Sequence, residues 1–183
     1  LAVWDALAAV GVMPFGVETY ANSRRMEKSL RLQNADLLTE YNLLESDLQR
    51  PKVKEADFRG KEAHLKHRSL PHRVAKLCTL TLEGNTDSKG VKRYPVGTVP
   101  IMDPATGETL VDSLGRRSFS TSMAYGPTIG KTIMLAYLPH EKAVKATYRL
   151  ILEREGEPAG VAGWIQYLDR GRSERDMVRE FCY

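Results

Sequence analysis

Apolar and polar positions along the chain change period twice, and the two changes divide it into three parts. Over the first dozen residues Val3, Trp4, Leu7 and Val10 recur at three- and four-residue spacing, which predicts a helix. Gly11, Pro14 and Gly16 interrupt it. A second helix is predicted from Thr19 to Leu32. Tyr20, Met26 and Leu30 share one face there, and Arg24, Arg25, Glu27, Lys28 and Arg31 lie mostly elsewhere. The stretch "YNLLESDLQRPKV" reads as a connector closed by Pro51, and "ADFRGKEAHLKHR" as a third helix that opens at Gly60.

From Arg73 the helical period gives way to short runs bounded by turn residues. In "RVAKLCTLTLEG", Val74, Leu77, Thr79 and Thr81 alternate with Ala75, Cys78, Leu80 and Leu82, which predicts a strand. "RYPVGTVPIMDPATGETLVDSLG" predicts strand, turn over Asp103 to Gly107, and strand. "GRRSFSTSMAYGPTIGKTIMLAYLP" predicts two more strands around a loop. Several such strands without helical period predict an antiparallel barrel or sandwich. From about Val144 the helical period returns. Tyr148, Ile151 and Leu152 form one stripe, Ala162, Ile165 and Leu168 a second, and Met177, Val178 and Phe181 a third behind a Ser173 cap.

The predicted class is therefore α+β. An α+β part spans residues 1–70, an antiparallel β-barrel 71–145, and a short all-α tail 146–183. Composition fits a soluble globular protein, with 42% hydrophobic and 27% charged residues. No apolar run reaches the roughly 18–20 residues of a membrane span. The net charge of +4 comes from mixed rather than blocked charges, so solvated faces account for it and no nucleic-acid partner is expected. Two distant cysteines, Cys78 and Cys182, predict a reducing, cytoplasmic setting rather than a disulfide scaffold. The first residues contain Asp5 and no basic leader or initiator methionine, which predicts a fragment or processed product without a signal peptide.

The loop "AYGPTIGKTIML" approaches a phosphate-binding motif. However, three residues separate Gly126 from Gly130 where four are needed, and a strand pattern follows Lys131 where a helix is needed. A turn between two strands is the better expectation, with Tyr125 and Lys131 at its sides. His64, His67, His72 and His140 show no metal-ligand spacing, so no metal is expected.

Three stretches, in order, resemble the C-terminal half of the aminomethyltransferase family, which includes the glycine-cleavage T-protein. They are "MPFGVETYANSRRMEKSLRLQNADL", "LLESDLQRPKVKEADFRGKEAHL" and "STSMAYGPTIGKTIMLAYLP". The variant "TYANSRRMEKS" is most similar to the folate-binding part of dimethylglycine and sarcosine dehydrogenase-type members. Ala21 stands where the T-protein carries an arginine that helps hold folate. The tail "YRLILEREGEPAGVAGWIQYLDRGRSERDMVREF" resembles a small helical module akin to phycobilisome-linker domains.

The resemblance implies the end of a folate-binding α+β domain followed by a C-terminal β-barrel. It implies tetrahydrofolate-dependent transfer of a one-carbon (aminomethyl or methyl) unit from a small methylated amine or sulfonium. Tetrahydrofolate is the implied cofactor, with FAD only where a flavin domain lies upstream. The catalytic aspartate of the family belongs to an N-terminal half or partner subunit. The residues matched to the pocket are Tyr20, suited to stacking on a flat heterocycle, Asn22, Arg25, whose fork suits a folate carboxylate, and Glu27, an acceptor for the pterin. The alternative expectation is a non-catalytic interaction or scaffold module that keeps the family fold.

Overall fold

The computed structural model describes residues 1–49, 52–70, 73–84, 86, 89–91 and 97–143. The first helix, α1 (Ala2–Ala9), forms where the sequence predicts it, with Asp5 in its first turn favourably placed against the helix dipole. It buries none of its residues. Val3, Trp4, Val10, Phe15, Val17 and Tyr20 all lie exposed, so the first twenty residues present apolar side chains outward.

The second helix is shorter than predicted. It begins as a π-helical turn, Thr19–Arg24, and continues as α2 (Arg25–Glu27). Ser29 then adopts a left-handed φ of 52°. The Ser29 N–H donates to Met26 O and the Leu30 N–H donates to Arg25 O, which closes a Schellman-type end before Leu32. The third helix, α3 (Lys61–Ser69), opens at Gly60 as expected, and Gly60 takes φ 85° there.

Three strands make one antiparallel sheet in the order β1 (Ala75–Leu82), β3 (Lys131–Pro139), β2 (Ser120–Gly126). Leu77 pairs with Tyr137 across β1 and β3. Ala75, Leu77, Ile133, Leu135 and Tyr137 line one face, and Met26 and Tyr41 cover it to form the main core. Cys78 and Leu138 lie on the opposite face, packed with Ala143 and the half-buried Leu80, Ile101 and Leu110. Burial on both faces is why β3 reads as a nearly continuous apolar run. The strand prediction for 74–82 is correct but its face assignment is not: Ala75 shares a face with Leu77.

Of the expected strand–turn–strand over 93–115, residues 93–96 lie outside the described residues, and the remainder forms only in part. The turn is present, with the Gly107 N–H donating to Asp103 O at 2.8 Å. Its flanks contribute isolated bridges, Pro100 to Phe119, Met102 to Thr109 and Val111 to Arg117, rather than full strands. These add an irregular margin beside β2. The described residues thus build helices and a three-stranded sheet, a mixed α+β arrangement, and a closed barrel is not among them. The predicted helical tail, 146–183, lies outside the described residues. Among the described residues no helix is long and apolar enough to cross a membrane.

Candidate functional site

β2 and β3 are joined by the loop Pro127–Gly130, and its shape explains the near-miss motif. The Gly130 N–H donates to Gly126 O at 2.9 Å, and Gly130 adopts φ 68°. A Cβ at Gly126 would stand 2.6 Å from Ile133 Cδ1, so a side chain there would have to displace Ile133 where the hairpin meets the core. A strand follows, as expected, and Lys131 pairs with the Glu83 carboxylate at 2.8 Å. Glu27 clamps the loop from the helix side. Its Oε1 accepts the Thr128 N–H at 2.6 Å and its Oε2 accepts the Thr128 hydroxyl at 3.0 Å.

A bulge in β2 sits beside this hairpin. Ser120 pairs with Ala136 and Ser122 with Leu135, which leaves Thr121 as the extra residue. In a regular strand neighbouring side chains point to opposite faces. Here both reach one buried ion pair. Arg25 Nη1 donates to Asp36 Oδ2 at 2.8 Å, Arg25 Nη2 donates to Ser122 Oγ at 2.8 Å, and Thr121 Oγ1 donates to Asp36 Oδ1 at 2.5 Å. Arg25 also bonds the backbone carbonyls of Ala21 and Leu30, and Asp36 accepts the Leu32 N–H. The two charges are therefore paired and hydrogen-bonded on every side, as deep burial demands.

Tyr137 links this cluster to a second one. Its hydroxyl donates to Asp36 O at 2.7 Å and lies 2.8 Å from Ser46 Oγ. Its ring stacks on Tyr41 with centroids 3.6 Å apart and planes within 2°. The Arg116 guanidinium lies 4.4 Å from the Tyr41 ring centroid, on the face that Tyr137 leaves open. Arg116 forks onto Glu45 at 2.6 Å and Asp112 at 2.7 Å, and donates to Glu40 O. Burial disfavours the Arg116 charge, but these two carboxylates outweigh it and hold its pKa above the ordinary guanidinium value. Burial pushes the Tyr41 phenol up to about 12 against a smaller opposing pull from Arg116, and burial also raises Tyr137.

The four predicted site residues separate into two pairs. Tyr20 is 70% exposed, and the half-buried Asn22 donates its amide to the Glu18 carboxylate one turn back. Arg25 and Glu27 face inward, to the charge cluster and the hairpin. None of the four lines the three grooves described next. One groove of about 330 Å3 includes Tyr41, Glu45, His67 and Arg116. A second, of about 620 Å3, lies between the connector and α3, and a third includes Asn34 and Ser46. Sequence reasoning missed Asp36, Tyr41, Glu45 and Arg116. Each works through a partner distant in sequence, and no local pattern marks them. Among the described residues no group of three or more His, Cys, Asp or Glu is placed to hold a metal ion.

Compared with known proteins, the chain matches no protein-family model and no curated protein.

Proposed function

We propose that this chain is the folate-binding portion of a tetrahydrofolate-dependent one-carbon transferase or demethylating dehydrogenase, acting on a small methylated amine or sulfonium. One observation supports this reading above the others: the three stretches that resemble aminomethyltransferases meet in space. The first joins the third through Arg25 to Ser122, Asp36 to Thr121 and Glu27 to Thr128, and the second joins it through Ser46 to Tyr137.

On this reading Arg25 and Glu27 are positioning residues that fix the helix against the sheet. Tyr20 and Asn22, on the outward side, are the ones that meet the folate. The protein would act by holding the folate nitrogen against the one-carbon unit. The catalytic half comes from another segment or subunit, with FAD only where that partner carries a flavin domain. The irregular margin beside β2 belongs to a barrel, and the setting is cytoplasmic. Equilibrium titration of the full chain with tetrahydrofolate tests the reading. Saturable binding that weakens about tenfold in Tyr20→Ala is expected, since stacking on a ring contributes about 1–3 kcal/mol. Binding unchanged by that substitution, or no saturable binding, would overturn it.

A second reading, a non-catalytic interaction module, is favoured by the exposed apolar residues of the first twenty positions. Such a surface marks a contact site. Trp4→Glu should then abolish self-association or partner binding measured by sedimentation, and leave the melting temperature unchanged.

A further inference from the structure

The groove between the connector and α3 has a composition that the folate reading does not use. Leu43, Leu48, Val53 and Phe58 give it an apolar floor. Lys52, Lys54, Arg59, His64 and His67 stand around that floor, and no carboxylate lines it among the described residues. Leu43 and Leu48 are respectively 49% and 40% exposed, so the floor is open to solvent.

Crowding cationic side chains over an apolar surface is unfavourable without a counter-charge. Lys54, although exposed, holds its ammonium 5.0 Å from the Phe58 ring centroid, beside the apolar floor. The walls are braced. Lys61 Nζ donates to Glu55 O at 2.6 Å, which ties the connector to the first turn of α3, and the left-handed Gly60 sets the angle between them. The volume, about 620 Å3, falls within the roughly 300–1,000 Å3 of small-molecule sites.

We propose that this groove binds an amphipathic anion: an apolar body that lies on Leu43, Leu48, Val53 and Phe58, with a carboxylate or phosphate group held by Lys54 and Arg59. Charge complementarity selects the sign of the ligand and the floor selects its apolar body. Tyr20, Asn22, Arg25 and Glu27 do not line this groove, so the proposal stands independently of the folate reading.

Calorimetric titration of the full chain with decanoate, decyl phosphate and decyltrimethylammonium tests it. Both anions, or one of them, should bind saturably, and the tighter anion identifies the preferred head group. The cation should bind at least about tenfold more weakly, as expected when close like charges meet. The variant Lys54→Glu/Arg59→Glu should weaken anion binding by about tenfold or more, whereas Lys28→Glu, on the exposed side of the second helix, should not. Both exchanged side chains are exposed, and circular dichroism checks that the variant is folded. Equal binding of anion and cation, an unchanged affinity in the Lys54→Glu/Arg59→Glu variant, or no saturable binding of either anion would overturn the proposal.

Discussion

Arg25 and Asp36, eleven residues apart, form an ion pair at 2.8 Å with side chains only 9% and 0% exposed. Thr121 and Ser122 complete it from the bulge of β2. Removing one partner would leave the other charged and buried. Asp36→Ala should therefore destabilise the fold by about 3–5 kcal/mol in urea unfolding. Replacing both partners, as in Arg25→Met/Asp36→Leu, should recover much of that loss. A loss below about 1 kcal/mol for Asp36→Ala would mean the pair is solvated, as surface pairs are.

Gly126 meets Ile133 at the mouth of the hairpin. Gly126→Ala should cost about 1–3 kcal/mol, as overpacking of a tight core does. Ile133→Val removes the Cδ1 atom in the way. In a double-mutant cycle the alanine should therefore be less harmful in the valine background. Strict additivity of the two changes would rule out the clash.

Glu27→Ala should release Thr128. Two hydrogen bonds to a carboxylate hold that residue, and each such bond contributes about 1.5–3 kcal/mol at most, less where water competes. Amide exchange at Thr128 and Gly130 should accelerate, while exchange in β1 stays unchanged. Loop amides that exchange as before would show that Glu27 does not act as the clamp.

The Tyr41 phenol, raised to about 12 from an ordinary 10.0, sets an alkaline limit. The folded protein keeps that proton when the unfolded chain has lost it. The contribution is thus fully present below pH about 10 and is lost as pH rises towards about 12. Stability should fall across that window, and Tyr41→Phe should flatten the fall. A phenolate absorbance titration of the native protein should show one fewer late-ionising tyrosine in that variant. If the variant's stability fell as steeply as the parent's, Tyr41 would not be the group responsible.

Local pattern was a good guide wherever local physics decides the structure. Helical spacing located α1, and Gly60 marked the start of α3. The apolar run and Pro139 located β3, and the failed glycine spacing at 126–130 correctly pointed to a turn. What the sequence hides depends on partners far along the chain. The second helix ends at the left-handed Ser29, just before Leu30, whose carbonyl accepts from Arg25, and no propensity marks that stop. The bulge at Thr121 is equally silent, since nothing in "STSMAY" marks an extra residue. Arg116 meets Glu45 across 71 positions. For the candidate site the sequence identified a helix that does join the sheet, but it could not tell that Arg25 and Glu27 face inward while Tyr20 faces out.

The most direct test of the folate reading is to map tetrahydrofolate onto the full chain by amide NMR. Saturable shifts are expected, concentrated at Tyr20, Asn22 and their helical neighbours, with Asp36 and Thr121 little changed because the cluster beneath is already formed. Shifts confined to the groove between the connector and α3, or none at all at saturating tetrahydrofolate, would contradict it.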